Sequence, residues 1–158
     1  MNAILIRNFV LFFICGWITY TDLKRHEIDH TPLLIGTLFI IPFNLLGFNT
    51  ITFSQSLVGC VVLFILFFIM SFFGMGGGDM KLMAMIGLFL GLGQGLTATV
   101  FAIYIAAFIA IFIILIKHKK ETLKSKMAMG PSIAIGTILA IYLYPLVLDY
   151  LSKNLLTI

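Results

Sequence analysis

The stretch "SFFGMGGGDMKLMAMIG", residues 71–87, interrupts a chain that is otherwise almost continuously apolar. Three consecutive glycines, Gly76 to Gly78, stand directly before a carboxylate, Asp79. Glycines and charged residues both interrupt apolar helices, so this stretch predicts a helix boundary where the membrane meets water. The function of the protein depends on whether Asp79 only marks that boundary or also carries out chemistry there.

The composition is that of an integral membrane protein. Of the 158 residues, 61% are hydrophobic and only 10% are charged, and the mean hydropathy is +1.16, far from the usage of soluble domains. Six crossings of roughly 20 residues each would use about 120 residues and leave only short loops. We therefore expect a single transmembrane domain over residues 1–158.

Apolar windows between charges, glycines and prolines predict six membrane spans. The spans lie at about 4–21, 32–48, 56–73, 80–95, 97–116 and 131–150. The expected fold is an all-α bundle of about six transmembrane helices, with the glycine-rich loop at the start of the fourth. Small residues recur every fourth position in the later spans, which is typical of closely packed transmembrane helices.

The basic residues predict the orientation of the bundle. The loops after the first, third and fifth predicted spans hold Lys24, Arg25, Lys81, Lys117, Lys119, Lys120, Lys124 and Lys126, and the opposite side holds Arg7 and Lys153. Basic residues collect on the cytoplasmic side of membrane proteins, so both termini are expected outside and the loop before Asp79 inside. Anionic lipid accounts for the net charge of +4, and no nucleic-acid partner is expected.

The six acidic residues are not equivalent in this topology. Asp149 falls on the outer side, and Glu121 lies in a lysine-rich loop where a solvated ion pair is expected. Asp22 directly follows an apolar run and Asp79 directly precedes one, at a depth where ionisable groups are costly and usually functional. The alternatives are structural: Asp79 could be the N-cap of the fourth span, and Asp22 could simply end the first span at the interface, paired with Lys24 or Arg25.

Two carboxyl groups that share one proton can hydrolyse a peptide bond, because the ionised one activates water and the neutral one protonates the carbonyl. Asp22 and Asp29, on one continuous helix, would be roughly 10 Å apart, too far to share a proton. Asp22 and Asp79 come from different helices that end on the same side, so packing can bring them together. They are the predicted catalytic pair.

The residues beside Asp79 have supporting roles in this interpretation. Gly74, Gly76, Gly77 and Gly78 are positions that can adopt positive φ values, and Gly76 to Gly78 would let the extended backbone of a substrate come close. Lys81 is either an anchor at the membrane interface or a cation that favours the ionised form of Asp79. Cys15 and Cys60 lie in apolar runs without CxxC spacing, so they predict packing positions and no metal site.

The residues around both aspartates resemble a known family. The run "GGGDMKL" around Asp79 is similar to the GxGDxKL run of type IV prepilin peptidases, which are polytopic membrane aspartyl proteases. Asp22, followed by Ile28 in "DLKRHEIDH", resembles the family's D-x5-I-P-N segment at the end of the first helix. The run "KMAMGPSIAIG", with Gly130 and Pro131, resembles the P-F-G-P segment before the last helix.

The resemblance implies an aspartyl endopeptidase of the cell membrane. Its substrates would be prepilin, pseudopilin or preflagellin-like proteins, from which it would remove a short basic leader at the cytoplasmic face. Asp22 and Asp79 would be the catalytic residues, and neither a cofactor nor a metal is implied. Larger members carry an N-terminal domain with paired CxxC motifs and a methylation activity, whereas this chain resembles the peptidase-only form associated with Tad-type pili or archaeal preflagellins.

Two segments depart from the family pattern. Asp29 and His30 replace the usual Pro-Asn, and Ala128 and Met129 replace the Pro-Phe. These departures bear on loop shape and substrate preference and leave both aspartates in place.

Two other classes of function stay open from the residues alone. A small cation or proton transporter could use Asp79 on a broken helix, although no internal repeat is visible. A non-catalytic assembly partner is the remaining alternative.

Overall fold

The computed structural model describes residues 2–25, 29–72, 76–117 and 129–155. These residues form five α-helices, and none of them lies in a strand. The helices are α1 (Asn2–Arg25), α2 (His30–Leu45), α3 (Phe53–Ser71), α4 (Gly77–Lys117) and α5 (Gly130–Leu155). The all-α prediction is confirmed; α4 covers both the fourth and the fifth predicted spans, and the count of six membrane spans stays a prediction.

Four of the helices, all but α2, contain segments long and apolar enough to cross a membrane. Helix α2 is also apolar but has only 16 residues. Large apolar side chains are exposed along the helices, for example Phe9 and Phe108 at 72% each and Leu38 at 70%. Such extensive apolar surface is unfavourable in water and suits contact with lipid. The chain is a multi-pass membrane protein.

Helix α4 is interrupted by one non-helical residue, Gly91, with φ 71° and ψ −174°. A Cβ built on Gly95 would lie 3.9 Å from the Cα atom of Gly87, although residues eight apart in a continuous helix are separated by about 12 Å. The chain therefore folds back on itself at Gly91. We name the two segments α4a (77–90) and α4b (92–117).

The break at Gly91 shows that the predicted boundary between the fourth and fifth spans, placed between residues 95 and 97, was wrong. Hydropathy cannot distinguish Gly91 from Gly93 and Gly95, which lie in the same apolar run. The structure distinguishes them by backbone conformation, since Gly91 is the one of the three with a positive φ. A Cβ on Gly59 would lie only 2.6 Å from the carbonyl carbon of Gly91, so α3 meets α4 backbone to backbone at the turn.

Small residues let the helices approach closely, as the sequence predicted. A Cβ on Gly87 would lie 2.5 Å from the carbonyl oxygen of Gly59 across the α3–α4 contact. A Cβ on Gly136 would lie 2.6 Å from the backbone nitrogen of Ala102 across the α4–α5 contact. These two contacts are the most extensive between helices in the bundle.

Segment α4a supplies much of the core. Leu82, Met83, Ile86, Phe89 and Leu90 are each at most 1% exposed, and α4 contacts all four other helices. Segment α4a, which carries Asp79, is therefore packed among the other helices of the bundle.

Candidate active site

Asp22 lies on the buried face of α1. Leu11, Cys15, Ile18 and Asp22 recur at helical spacing and are each at most 4% exposed, so the carboxylate continues an apolar stripe toward the interior. Helix α1 extends past Asp22 to Arg25. Lys24 and Arg25 are exposed, and in the part of the chain that the structure describes neither forms an ion pair with Asp22. The alternative of an interfacial ion pair at Asp22 is not observed.

Asp79 lies in the first turn of α4 and is 6% exposed. The helix begins at Gly77, so Asp79 is not the N-cap of a span that starts at residue 80, and that alternative was wrong. Its backbone N–H donates to the carbonyl oxygen of Gly76 at 3.1 Å, and its carboxyl group also interacts with the backbone of Gly76. A carboxylate that reaches back from the third helical position is a common stabiliser of a helix start.

The structure brings Asp22 and Asp79 together at one end of the bundle. Their carboxyl groups interact electrostatically, and both are buried. They come from two different helices, α1 and α4, as the sequence predicted for a pair whose separation is set by packing. Two buried carboxyl groups brought within hydrogen-bonding distance can hold one proton between them.

Gly130, at the start of α5, is a third component of the site. Its backbone N–H donates to Oδ2 of Asp22 at 2.7 Å. A Cβ at residue 130 would lie 2.7 Å from that oxygen and 3.1 Å from the Cβ of Asp22. Only glycine fits without displacing the carboxylate. The family resemblance singled out Gly130 and Pro131, but nothing in the sequence indicated that the amide contacts Asp22.

The observed conformation of the glycines before Asp79 differs in detail from the one that the sequence suggests. Gly77 and Gly78 are helical, and the positive φ values of the described residues occur at Gly47 and Gly91, so residues 76–78 do not use the positive φ that glycine permits. A Cβ on Gly76 would lie 3.2 Å from Oδ2 of Asp79, which makes Gly76 the tightest glycine beside the carboxylate. Gly74 lies outside the described residues.

Lys81 and the remaining carboxylates lie apart from the pair. Lys81 is exposed and forms no ion pair with Asp79 in the described ranges, which favours its interpretation as an interface anchor. Asp29 occupies the N-cap position of α2 without a side-chain hydrogen bond to the helix. Asp149 is exposed and pairs with Lys153 at 2.8 Å. Glu121, Ile28 and Ala128 lie outside the described residues.

Residues 2–25, 29–72, 76–117 and 129–155 contain no group of three or more His, Cys, Asp or Glu side chains able to hold a metal ion. Cys15 is buried and Cys60 is half-buried, both as free thiols. The chemistry available at the end of α1 and α4 is that of two carboxyl groups and backbone amides.

The fold and the site define a multi-pass membrane protein with a buried pair of aspartates at one end of its helices. Residues 9–116 match the model of the type IV leader peptidase family, and the chain belongs to that family. The match includes Asp22 and Asp79 and ends before Gly130. No curated protein and no solved structure matches the chain.

Proposed function

We propose that the protein is an aspartyl endopeptidase that removes the basic leader of prepilin-like proteins at the cytoplasmic face of the membrane. The observation that carries the proposal is the burial of Asp22 and Asp79, on two different helices, at the same end of the bundle. Membership of the type IV leader peptidase family supports a peptidase that acts on leader sequences. The cytoplasmic placement follows from the distribution of basic residues.

In the proposed mechanism the two carboxyl groups share one proton. The ionised group removes a proton from a water molecule, which attacks the scissile carbonyl carbon, while the protonated group donates its proton to the carbonyl oxygen. Collapse of the tetrahedral intermediate then returns a proton to the departing amine. The amide of Gly130 fixes one oxygen of Asp22, which keeps that carboxyl group in a single orientation through the cycle.

The transporter alternative uses Asp79 on a broken helix, where unwound backbone beside the carboxylate would help to hold the cation. The break in α4 lies at Gly91, twelve residues after Asp79, which corresponds to about 18 Å along a helix. Asp79 itself lies in a continuous helical turn. The geometry therefore favours the peptidase.

The test uses purified protein in detergent and a peptide with a basic leader, a glycine and an apolar helix. Asp22→Asn and Asp79→Asn keep the side-chain shape but remove the titrating group, and each should lower kcat by about 10²- to 10⁴-fold. The matched control is Asp149→Asn, the same change at an exposed ion-paired aspartate. Mass spectrometry of the products should show cleavage at the leader by the wild type and the control.

Near-normal cleavage by either Asp22→Asn or Asp79→Asn would refute the assignment of these two aspartates as the catalytic pair. Loss of activity that merely follows loss of folded protein in the membrane would refute it as well.

A further inference from the structure

A second polar cluster lies at the opposite end of α4a from the aspartates. The last carbonyl groups of a helix lack intrahelical donors, and α4a ends at the Gly91 break. The carbonyl oxygens of Leu88 and Phe89 are bonded by side chains from other parts of the chain. The donors are Asn44 to Leu88 at 3.0 Å, and Asn49 and Arg7 to Phe89 at 3.3 and 3.5 Å.

Arg7 is the centre of this cluster and is only 3% exposed. Its Nη1 donates to Oδ1 of Asn49 at 2.7 Å. Its Nε and Nη2 donate to Oδ1 of Asn8 at 3.1 and 2.9 Å. The planar guanidinium thus holds the loop between α2 and α3 and the end of α4a at the same time.

The asparagines extend the contacts to the other helices. Asn49 Nδ2 donates to Oδ1 of Asn44 at 2.7 Å, and Asn44 Nδ2 donates to Oγ of Ser56 at 3.0 Å. Asn44 is at the end of α2 and Ser56 is in the first turns of α3. We call these five side chains, Arg7, Asn8, Asn44, Asn49 and Ser56, the Arg7 cluster.

The charge of Arg7 is balanced by the helix end. Among the described residues, no carboxylate lies within ion-pair distance of its guanidinium. The C-terminal end of α4a presents carbonyl oxygens and the negative end of the helix dipole, which attract a cation. A buried cation is costly without such partners. The carbonyl oxygens at the end of α4a therefore stabilise the buried charge of Arg7.

The same two helices carry both the Arg7 contact and the aspartates. Helix α1 holds Arg7 near one end and Asp22 near the other, and α4a holds Phe89 near one end and Asp79 near the other. Direct backbone contact between α1 and α4 is sparse compared with the α3–α4 and α4–α5 contacts. The relative position of the two aspartates therefore depends on groups that bridge the helices.

We propose that the Arg7 cluster is a positioning device that fixes α4a relative to α1 and thereby sets the separation of the carboxyl groups of Asp22 and Asp79. Arg7 is a positioning residue, since it lies far from the aspartates and acts through the backbone of α4a. The catalytic part of this proposal rests on the proposed peptidase function. The geometric part does not.

The experiment compares Arg7→Met with Lys153→Met. Both changes replace a basic side chain by a long apolar one, but Lys153 is exposed and outside the cluster. Arg7→Lys retains a cation that can reach the Phe89 carbonyl, and Asn49→Ala removes the bridge while leaving the arginine in place. Activity is measured on the leader peptide and normalised to folded protein.

The geometric readout is independent of activity. Spin labels are attached to Leu23→Cys and Lys81→Cys, which are exposed near Asp22 and Asp79, in a Cys15→Ala, Cys60→Ala background. Pulsed electron resonance then gives the distribution of distances between α1 and α4a. The distribution should broaden or shift with Arg7→Met and Asn49→Ala, and stay as in the parent with Lys153→Met.

A displacement of about 1 Å at reacting groups can cost roughly 100-fold in rate, so kcat should fall by about that factor with Arg7→Met while KM changes little. Arg7→Lys should recover part of the loss. An unchanged distance distribution in Arg7→Met and Asn49→Ala, or an equal effect of Lys153→Met, would overturn the proposal. If the wild type fails to cleave the peptide, the peptidase function fails, and the distance distributions still decide the positioning role.

Discussion

At the scale of single residues, the carboxyl group of Asp22 depends on a neighbour that contributes no side chain. The amide of Gly130 donates to it at 2.7 Å, and the space that a Cβ would need is already occupied by the carboxylate. Charge-assisted hydrogen bonds of this kind are short and orient the acceptor strongly. The requirement for glycine at residue 130 is thus set by the aspartate, and not by the conformation of the backbone.

Gly130→Ala should therefore impair catalysis more than folding. The added methyl group would push against Oδ2 and Cβ of Asp22, and a displacement of about 1 Å would lower kcat by roughly 100-fold. The control is Gly16→Ala, because a Cβ at residue 16 meets nothing within 4 Å. Peptide cleavage rates, normalised to folded protein, provide the measurement. Equal rates for the two variants would show that the amide of residue 130 does not position Asp22.

At the scale of helices, the turn at Gly91 determines how the middle of the chain crosses the membrane. Its φ of 71° and ψ of −174° lie in a region that is essentially restricted to glycine. The turn also directs the carbonyl groups of Leu88 and Phe89 toward the Arg7 cluster. One backbone conformation therefore creates both the reversal of α4 and the polar contacts that hold it.

Gly91→Ala should destabilise the protein by about 1–3 kcal/mol, the usual cost of holding a residue with a side chain in that region. A Cβ there would also lie 3.0 Å from Cδ1 of Ile51, which adds crowding. Gly47→Ala is the informative comparison, since φ is 72° but no atom lies within 4 Å of its added Cβ. The unfolding temperature in detergent should be lower for Gly91→Ala than for Gly47→Ala. The reverse order would show that crowding against Ile51 does not add to the destabilisation.

The sequence predicted helices better than it predicted their ends. Hydropathy windows stop at the first charge or polar cluster, whereas α1 continues to Arg25 and α3 begins at Phe53. The early start of α3 has a local cause, a capping box in which Thr52 and Gln55 bond each other's backbone N–H groups. The position of the α4 turn depends on contact with Gly59, which no local pattern reveals.

For the candidate site as well, the sequence predicted the main residues but not all of their contacts. Topology alone placed Asp22 and Asp79 on one side and in different helices. The donor role of Gly130 and the Arg7 cluster were missed, because their members are up to 108 residues apart in sequence and meet only through packing. From the sequence, Arg7 is only one of two basic residues on the side poor in them, whereas the structure buries it against the end of α4a.

At the scale of the whole molecule, the two polar groups lie at opposite ends of a predominantly apolar bundle. The aspartates and Gly130 are at one end, and the Arg7 cluster is at the other. Which end faces the cytoplasm is predicted by the eight basic residues on one side against two on the other. Leader cleavage in the cytoplasm requires the aspartate end to face inward.

Cysteine labelling tests this orientation. In the Cys15→Ala, Cys60→Ala background, Lys120→Cys should react with a membrane-impermeant reagent only when it is supplied from the cytoplasmic side. Phe48→Cys and Lys153→Cys should react only from the outside. The opposite pattern would place both aspartates outside and remove leader cleavage at the cytoplasmic face as the function.

The shortness of α2 has a consequence for the surrounding bilayer. This helix links the aspartate end to the Arg7 cluster with only 16 residues, about 24 Å, and exposes Leu34, Leu38 and Leu45 along its length. A hydrophobic length below the hydrocarbon thickness of about 30 Å is accommodated by thinning of the adjacent lipid. The hydrophobic length of α2 therefore predicts locally thinned lipid beside the bundle, which would bring headgroups and water closer to the aspartates than an average leaflet does.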